Sequence, residues 1–216
     1  MPVRFQLGRL FGTDIYAAPG FFALLLLYFV AGATSNVPVS NTAVFCIAVV
    51  LSLLVHEFGH VFAVRRLLRK ESMILLWGMG GLCVYEPGGR PGQRVAIALM
   101  GPAFEVALGA VAVAAWLWAP PAVPLLRYFV FCMVWINVVW VVLNLLPILP
   151  LDGGQALLAA IESRAGRARA RAILRRVSLF GAAACAGIAL HLQIPILALV
   201  AVFLFLHNLG GGAPRV

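Results

Sequence analysis

Apolar residues in this chain come in long unbroken runs, not at the helical or alternating intervals of a half-buried surface. Four runs, 17–37, 41–64, 95–119 and 125–146, each approach or exceed the roughly 20 residues that a bilayer crossing requires. A further stretch, 177–207, is interrupted by the sequence HLQIP at His191–Pro195. There a proline and a polar pair mark a turn, so this stretch is read as two shorter spans, 177–191 and 194–207. The pattern predicts an all-α polytopic membrane protein with about six transmembrane helices, forming one domain over 1–216. The first run follows sixteen mixed residues with no small-residue cleavage pattern, so it is expected to be a retained span and not a signal peptide.

Composition agrees with the pattern. Hydrophobic residues make up 63% of the chain and charged residues 11%, against roughly 45–50% and about 25% in soluble domains. The charged minority is unevenly placed. With the amino terminus inside, 1–16, 65–94, 161–176 and the tail face the cytoplasm and carry fifteen of the sixteen Arg and Lys, leaving Arg127 outside. Such asymmetry orients membrane proteins, so a cytoplasmic amino terminus is expected.

The net charge of +9 raises the question of a nucleic-acid partner. No aromatic platform or nucleic-acid fold signature accompanies the basic stretch Glu162–Arg176, and anionic lipid headgroups at the basic cytoplasmic loops account for it. Cys46, Cys83, Cys132 and Cys185 form no CxxC pair and are expected as small packing residues.

Against this background three residues stand out in LSLLVHEFGHVFAV, Leu51–Val64. On a helix, residues four apart lie about 40° apart around the axis and about 6 Å apart along it. His56 and His60 can therefore converge on one ion, while Glu57 reaches a water held by that ion. This is the H-E-x-x-H arrangement of zinc hydrolases, and ionisable residues inside a span are rare and functional.

A catalytic zinc takes three protein ligands and leaves one position open. Glu105, His191, His207 and Asp152 are the candidates for the third. Asp152 lies in NLLPILPLDGGQ, where the fourth span returns to the side expected for His56. Pro147 and Pro150 break that helix just before the acid, and Gly153–Gly154 permit a tight turn just after it. A carboxylate on irregular backbone at membrane depth reads as a ligand; the bland alternative is a helix cap at the surface.

These motifs resemble the site-2 protease family of intramembrane zinc metalloproteases, in its compact bacterial form without PDZ or CBS domains. HEFGH at His56–His60 matches the first family motif and NLLPILPLDGG at Asn144–Gly154 the second. Between them, Leu75–Gly89 is similar to the glycine-containing segment that follows the motif helix, and Ala98–Gly109 to the start of the third core helix. The resemblance implies a core of three helices carrying one Zn2+ per chain, held by His56, His60 and Asp152, with Glu57 as catalytic base. It implies that Asn144 binds substrate or polarises its carbonyl, and that a short strand or re-entrant segment lies near 73–86. It also implies a bacterial inner membrane as the setting, and a transmembrane protein substrate cut toward the cytoplasmic side to release a regulatory fragment. Glu105 departs from the family pattern, which commonly has asparagine at that position.

Overall fold

The computed structural model describes residues 4–35, 37–78 and 80–210, with the backbone alone for Pro195 and Ile196. Met79 and the tail with Arg215 lie outside the described residues. The elements run β1 (Phe5–Leu10), β2 (Thr13–Ala17), α1 (Pro19–Thr34), α2 (Val39–Leu68), β3 (Ser72–Trp77), β4 (Gly80–Tyr85), α3 (Pro91–Trp118), α4 (Pro124–Asn144), α5 (Asp152–Ala165), α6 (Arg167–His191) and α7 (Pro195–Leu209).

Helices α2, α3, α4 and α6 are long and apolar enough to cross a membrane, and α1 and α7 are shorter apolar helices. With so much apolar surface, the chain is an integral membrane protein. Helix boundaries differ from the apolar runs where polar residues still favour helix. The second helix continues past Val64 to Leu68, and α6 begins at Arg167 instead of Val177. Arginine and alanine are strong helix formers, so the basic segment is largely helix and not loop.

The chain divides into two compact units, Met1–Glu86 with Met100–Val141, and Pro87–Leu99 with Val142–Val216. In the first unit a four-stranded sheet runs in the order β1-β2-β3-β4. The strand expected near 73–86 is thus a β3–β4 hairpin, and the amino-terminal hairpin extends it. Pairing of β2 with β3 is parallel, through Ile15–Ile74 to Ala17–Leu76, and the two hairpins are antiparallel. Ile15, Ala17, Ile74 and Leu76 pack with Phe21, Leu53 and Val61 of α1 and α2 in one buried cluster. Arg65, near the end of α2, ties down the β1–β2 turn by donating to the Phe11 carbonyl (2.6 Å) and the Thr13 hydroxyl (2.9 Å).

A second cluster joins α2, α3 and α4 through Ala48, Val49, Ala112, Val130, Met133 and Ile136. Beside it the Asn137 amide donates to the Ser52 hydroxyl at 3.1 Å and to the Met133 carbonyl at 2.6 Å. Polar pairs of this kind fasten helices where lipid supplies no hydrophobic drive for association.

The second unit is organised around the break between α4 and α5. Its backbone, Leu145–Leu151, is not helical, so its polar groups need partners from elsewhere. Leu149 is 7% exposed, and two side chains serve it. Its N–H donates to the Ser178 hydroxyl of α6 at 2.9 Å, and its carbonyl accepts from the Asn208 amide of α7 at 2.7 Å. The glycine pair serves packing, not the turn expected from sequence, because α5 starts at Asp152 and includes both residues. A Cβ on Gly153 would strike the Leu145 and Leu146 carbonyls, and one on Gly154 would come 2.5–2.8 Å from Ile148 and Leu149 backbone atoms. At the far end of α5, Glu162 accepts from Arg94 and Arg167, each at 2.8 Å. The bond from Arg94, more than any other influence, holds the Glu162 carboxyl below the usual carboxylate range.

Replacing Asn208 by leucine removes the donor to the Leu149 carbonyl while keeping side-chain bulk. Because the group left bare is buried, the expected loss is about 1–2 kcal/mol, measured by denaturant titration in mixed micelles. An unchanged midpoint would show that Asn208 does not hold the break.

Candidate metal centre

Helix α2 carries His56, Glu57 and His60 on one buried turn, with exposures of 4%, 3% and 7%. The two imidazoles meet edge to face, with ring centroids 4.7 Å apart and Nε2 atoms 3.0 Å apart. Nitrogen ligands about 2.0 Å from one tetrahedral ion stand about 3.3 Å apart, so this spacing is close to that of a ligand pair.

Three glycines make the close packing of this turn possible. Gly59 lies against α3, where an added Cβ would meet the Met100 carbonyl carbon at 2.9 Å. On α3, a Cβ at Gly101 would fall 2.6 Å from His60 Cε1 and 2.7 Å from His56 Nε2. In β4, a Cβ at Gly81 would fall 2.6 Å from Glu57 Cδ. Pro102, next to Gly101, removes one N–H from the α3 ladder. One turn beyond Gly101, Glu105 is fully buried and brings Oε2 to 3.0 Å from His56 Nδ1.

Asp152 is the first residue of α5 and 7% exposed. Leu151 holds the N-cap position, so Asp152 is not the capping residue that the bland alternative required. A carboxylate in the first turn is favoured by the helix dipole. His56 and His60 thus form a facing imidazole pair in the first unit, and Asp152 is a buried carboxylate in the second. Of the other candidates from sequence, Glu105 lies beside His56 in the first unit, and His191 and His207 belong to the second. Asn144 ends α4 and is half-buried. All four cysteines are free thiols.

Residues 122–188 match the model of peptidase family M50. Site-2 protease from Methanocaldococcus jannaschii superposes on the chain with a TM-score of 0.75 at 22% identity, over 99% of this chain and 96% of that one. The fold is that of a site-2 protease. No curated protein matches the chain. The M50 match implies a metal, typically zinc, and the donor types fit one: two imidazoles meeting at 3.0 Å, with no side chain at Gly101 to fill the space beside them, and a buried carboxylate at Asp152.

Sequence reasoning passed over Gly101 and Gly81, and left the role of Glu105 open. A signal was present for two of them: Gly101 and Glu105 are four residues apart, so they share one face of α3.

Gly101→Ala should push the imidazoles apart without removing a ligand. Overpacking of about 1–3 kcal/mol corresponds to zinc affinity roughly ten- to a hundredfold lower, read by competition with a chromophoric chelator. Affinity equal to that of the unmodified chain would show that the rings tolerate the methyl group.

Proposed function

We propose that this chain is an intramembrane zinc metalloprotease. It would hydrolyse a peptide bond in or near the transmembrane segment of a membrane-anchored protein. The reading is supported by the facing imidazoles of His56 and His60, with Glu57 on the same turn of α2, and by the buried carboxylate of Asp152 at the start of α5. His56, His60 and Asp152 are assigned to one Zn2+ per chain, and the chain to one protease domain that draws donors from both halves of the sequence.

A bound zinc ion lowers the pKa of a coordinated water toward about 7 and polarises a carbonyl. Glu57 takes the proton of the attacking water and delivers it to the leaving amine nitrogen. Asn144 is assigned to donate to the carbonyl oxygen, where negative charge develops.

The scissile amide of a transmembrane helix is engaged in that helix's own hydrogen bonds, so the substrate must unwind locally. An unwound segment can be held by adding to a sheet edge. Strand β3 pairs on both sides at Ile74–Leu76, with β2 and with β4, so Leu75 and Leu76 have no edge to offer. Strand β4 ends the sheet, and its Gly81 abuts Glu57, so the substrate strand is assigned to Gly80–Tyr85.

The distribution of Arg and Lys supports a cytoplasmic amino terminus with anionic headgroups at the basic segments, and the membrane is assigned as a bacterial inner membrane. Cleavage on that side would release a cytoplasmic regulatory fragment.

Two measurements separate the roles. In proteoliposomes with tagged single-span membrane proteins, Glu57→Gln should slow cleavage at least about a hundredfold while zinc content stays unchanged. Undiminished turnover would remove Glu57 from the chemistry. Separately, His56→Ala and Asp152→Ala should each purify with well under one zinc per chain; stoichiometric zinc in both would remove the ligand assignments.

A further inference from the structure

Beside the break between α4 and α5 lies an open groove of about 600 Å3, wholly within the second unit. Leu146, Pro147 and Ile148 form one wall, and α6 forms the other from Arg176 to Cys185. Gly181 lets α6 come close to Ile148, where an added Cβ would stand 3.0 Å from Cδ1. Phe180, 78% exposed, and Ala184 leave the outer side of the groove open. The volume falls in the range of about 300–1,000 Å3 typical of pockets that hold a ligand. Its lining is apolar except at one end, so water would find few of the polar partners it needs there. Hydrocarbon suits it, and α6 is long and apolar enough to cross a membrane.

The polar end is Arg176, the one charged residue in the lining among the described residues. It is also the last charged residue before the apolar run 177–190, the level at which a lipid changes from headgroup to chain. Its neighbour Arg175 is already engaged, donating to the Asn208 carbonyl at 2.9 Å and the Leu209 carbonyl at 2.7 Å. Arg176 is exposed and makes no hydrogen bond or ion pair among the described residues. Arg169, seven residues earlier and also exposed, shares its face of α6 within about 20°. A guanidinium binds two phosphate oxygens at once, which suits it to a phosphodiester.

We propose that this groove binds one anionic phospholipid, with an acyl chain along Pro147, Ile148 and Gly181 and the phosphate held by Arg176. Such a site differs from a general attraction of headgroups to the basic segments, because it needs the groove as well as the charge. It is independent of the metal assignment. The bound chain would pack against the unwound segment and so join Ser178 and Asn208 in supporting the break.

The test is native mass spectrometry of the full-length chain released from detergent micelles, titrated with phosphatidylglycerol or with phosphatidylcholine. One phosphatidylglycerol should stay bound at activation energies that strip phosphatidylcholine. Arg176→Gln should weaken that binding about fivefold, as expected for one basic residue at a membrane surface. Arg171→Gln removes an equal charge about 140° away around the helix and should leave binding unchanged. Ala184→Trp fills the groove without touching a charge and should abolish retention of the lipid. Equal retention of the two lipids overturns the proposal, as does equal weakening by both arginine variants. Retention that survives Ala184→Trp places the lipid elsewhere and overturns it too; if that variant does not fold, the arginine pair still decides. Displacement of the lipid by inorganic phosphate would assign Arg176 to a free anion instead. A dimer that Ala184→Trp dissociates would assign the groove to a second copy of the chain.

Discussion

Two imidazole nitrogens 3.0 Å apart, on a helix turn almost sealed from solvent, set the terms for the residues around them. Lone pairs brought that close repel unless a proton or a cation lies between them. Water, which would relieve the repulsion at a surface, is scarce in an apolar helix bundle. The neighbours are accordingly small where the rings need room, at Gly101, and one of them is an acid, Glu105, 3.0 Å from His56 Nδ1. Gly59 does for the backbone what Gly101 does for the rings, letting α2 approach α3 at Met100. None of these residues carries chemistry that a substrate would feel directly. They decide whether the two histidines can face each other at all.

The same scarcity of water governs the segment before Asp152. An unwound stretch exposes peptide groups that a helix would have paired, and at membrane depth each must find a partner within the protein. Leu149 finds both of its partners in side chains, Ser178 and Asn208. Helices α6 and α7 therefore act on the acid indirectly, by making an irregular backbone tolerable where a regular one could not present a carboxylate at the start of α5. Polar residues in these two helices are better read as substitutes for backbone partners than as candidates for catalysis.

Much of this was legible beforehand, because the strongest signals were of the kind a sequence preserves. Apolar runs locate the long helices, and the interval from His56 to His60 puts two rings on one face. Prolines 147 and 150 announce the break. The amino-terminal hairpin was not legible: every residue of β1 is exposed, so its sequence carries no alternation to read, and a bulge between Gln6 and Gly8 disturbs the register further. Helix α5 was hidden by Gly153 and Gly154, poor helix formers whose unfavourable propensity is overridden by contact with Leu145–Leu149. The approach of Glu105 to His56 was not legible either, because spacing along a chain does not specify which helix faces meet.

The clasp on Leu149 also bears on what a shortened chain would mean. Removing α7 would leave both histidines, Glu57 and Asp152 in place, and by an inventory of reactive groups nothing would be missing. It would nevertheless strip the Leu149 carbonyl of its amide donor in surroundings with little water to replace it. It would also remove Leu204 from the cluster it forms with Ile148, so inactivity after such trimming would report an unsupported segment upstream of the acid, not a chemical duty for the final helix.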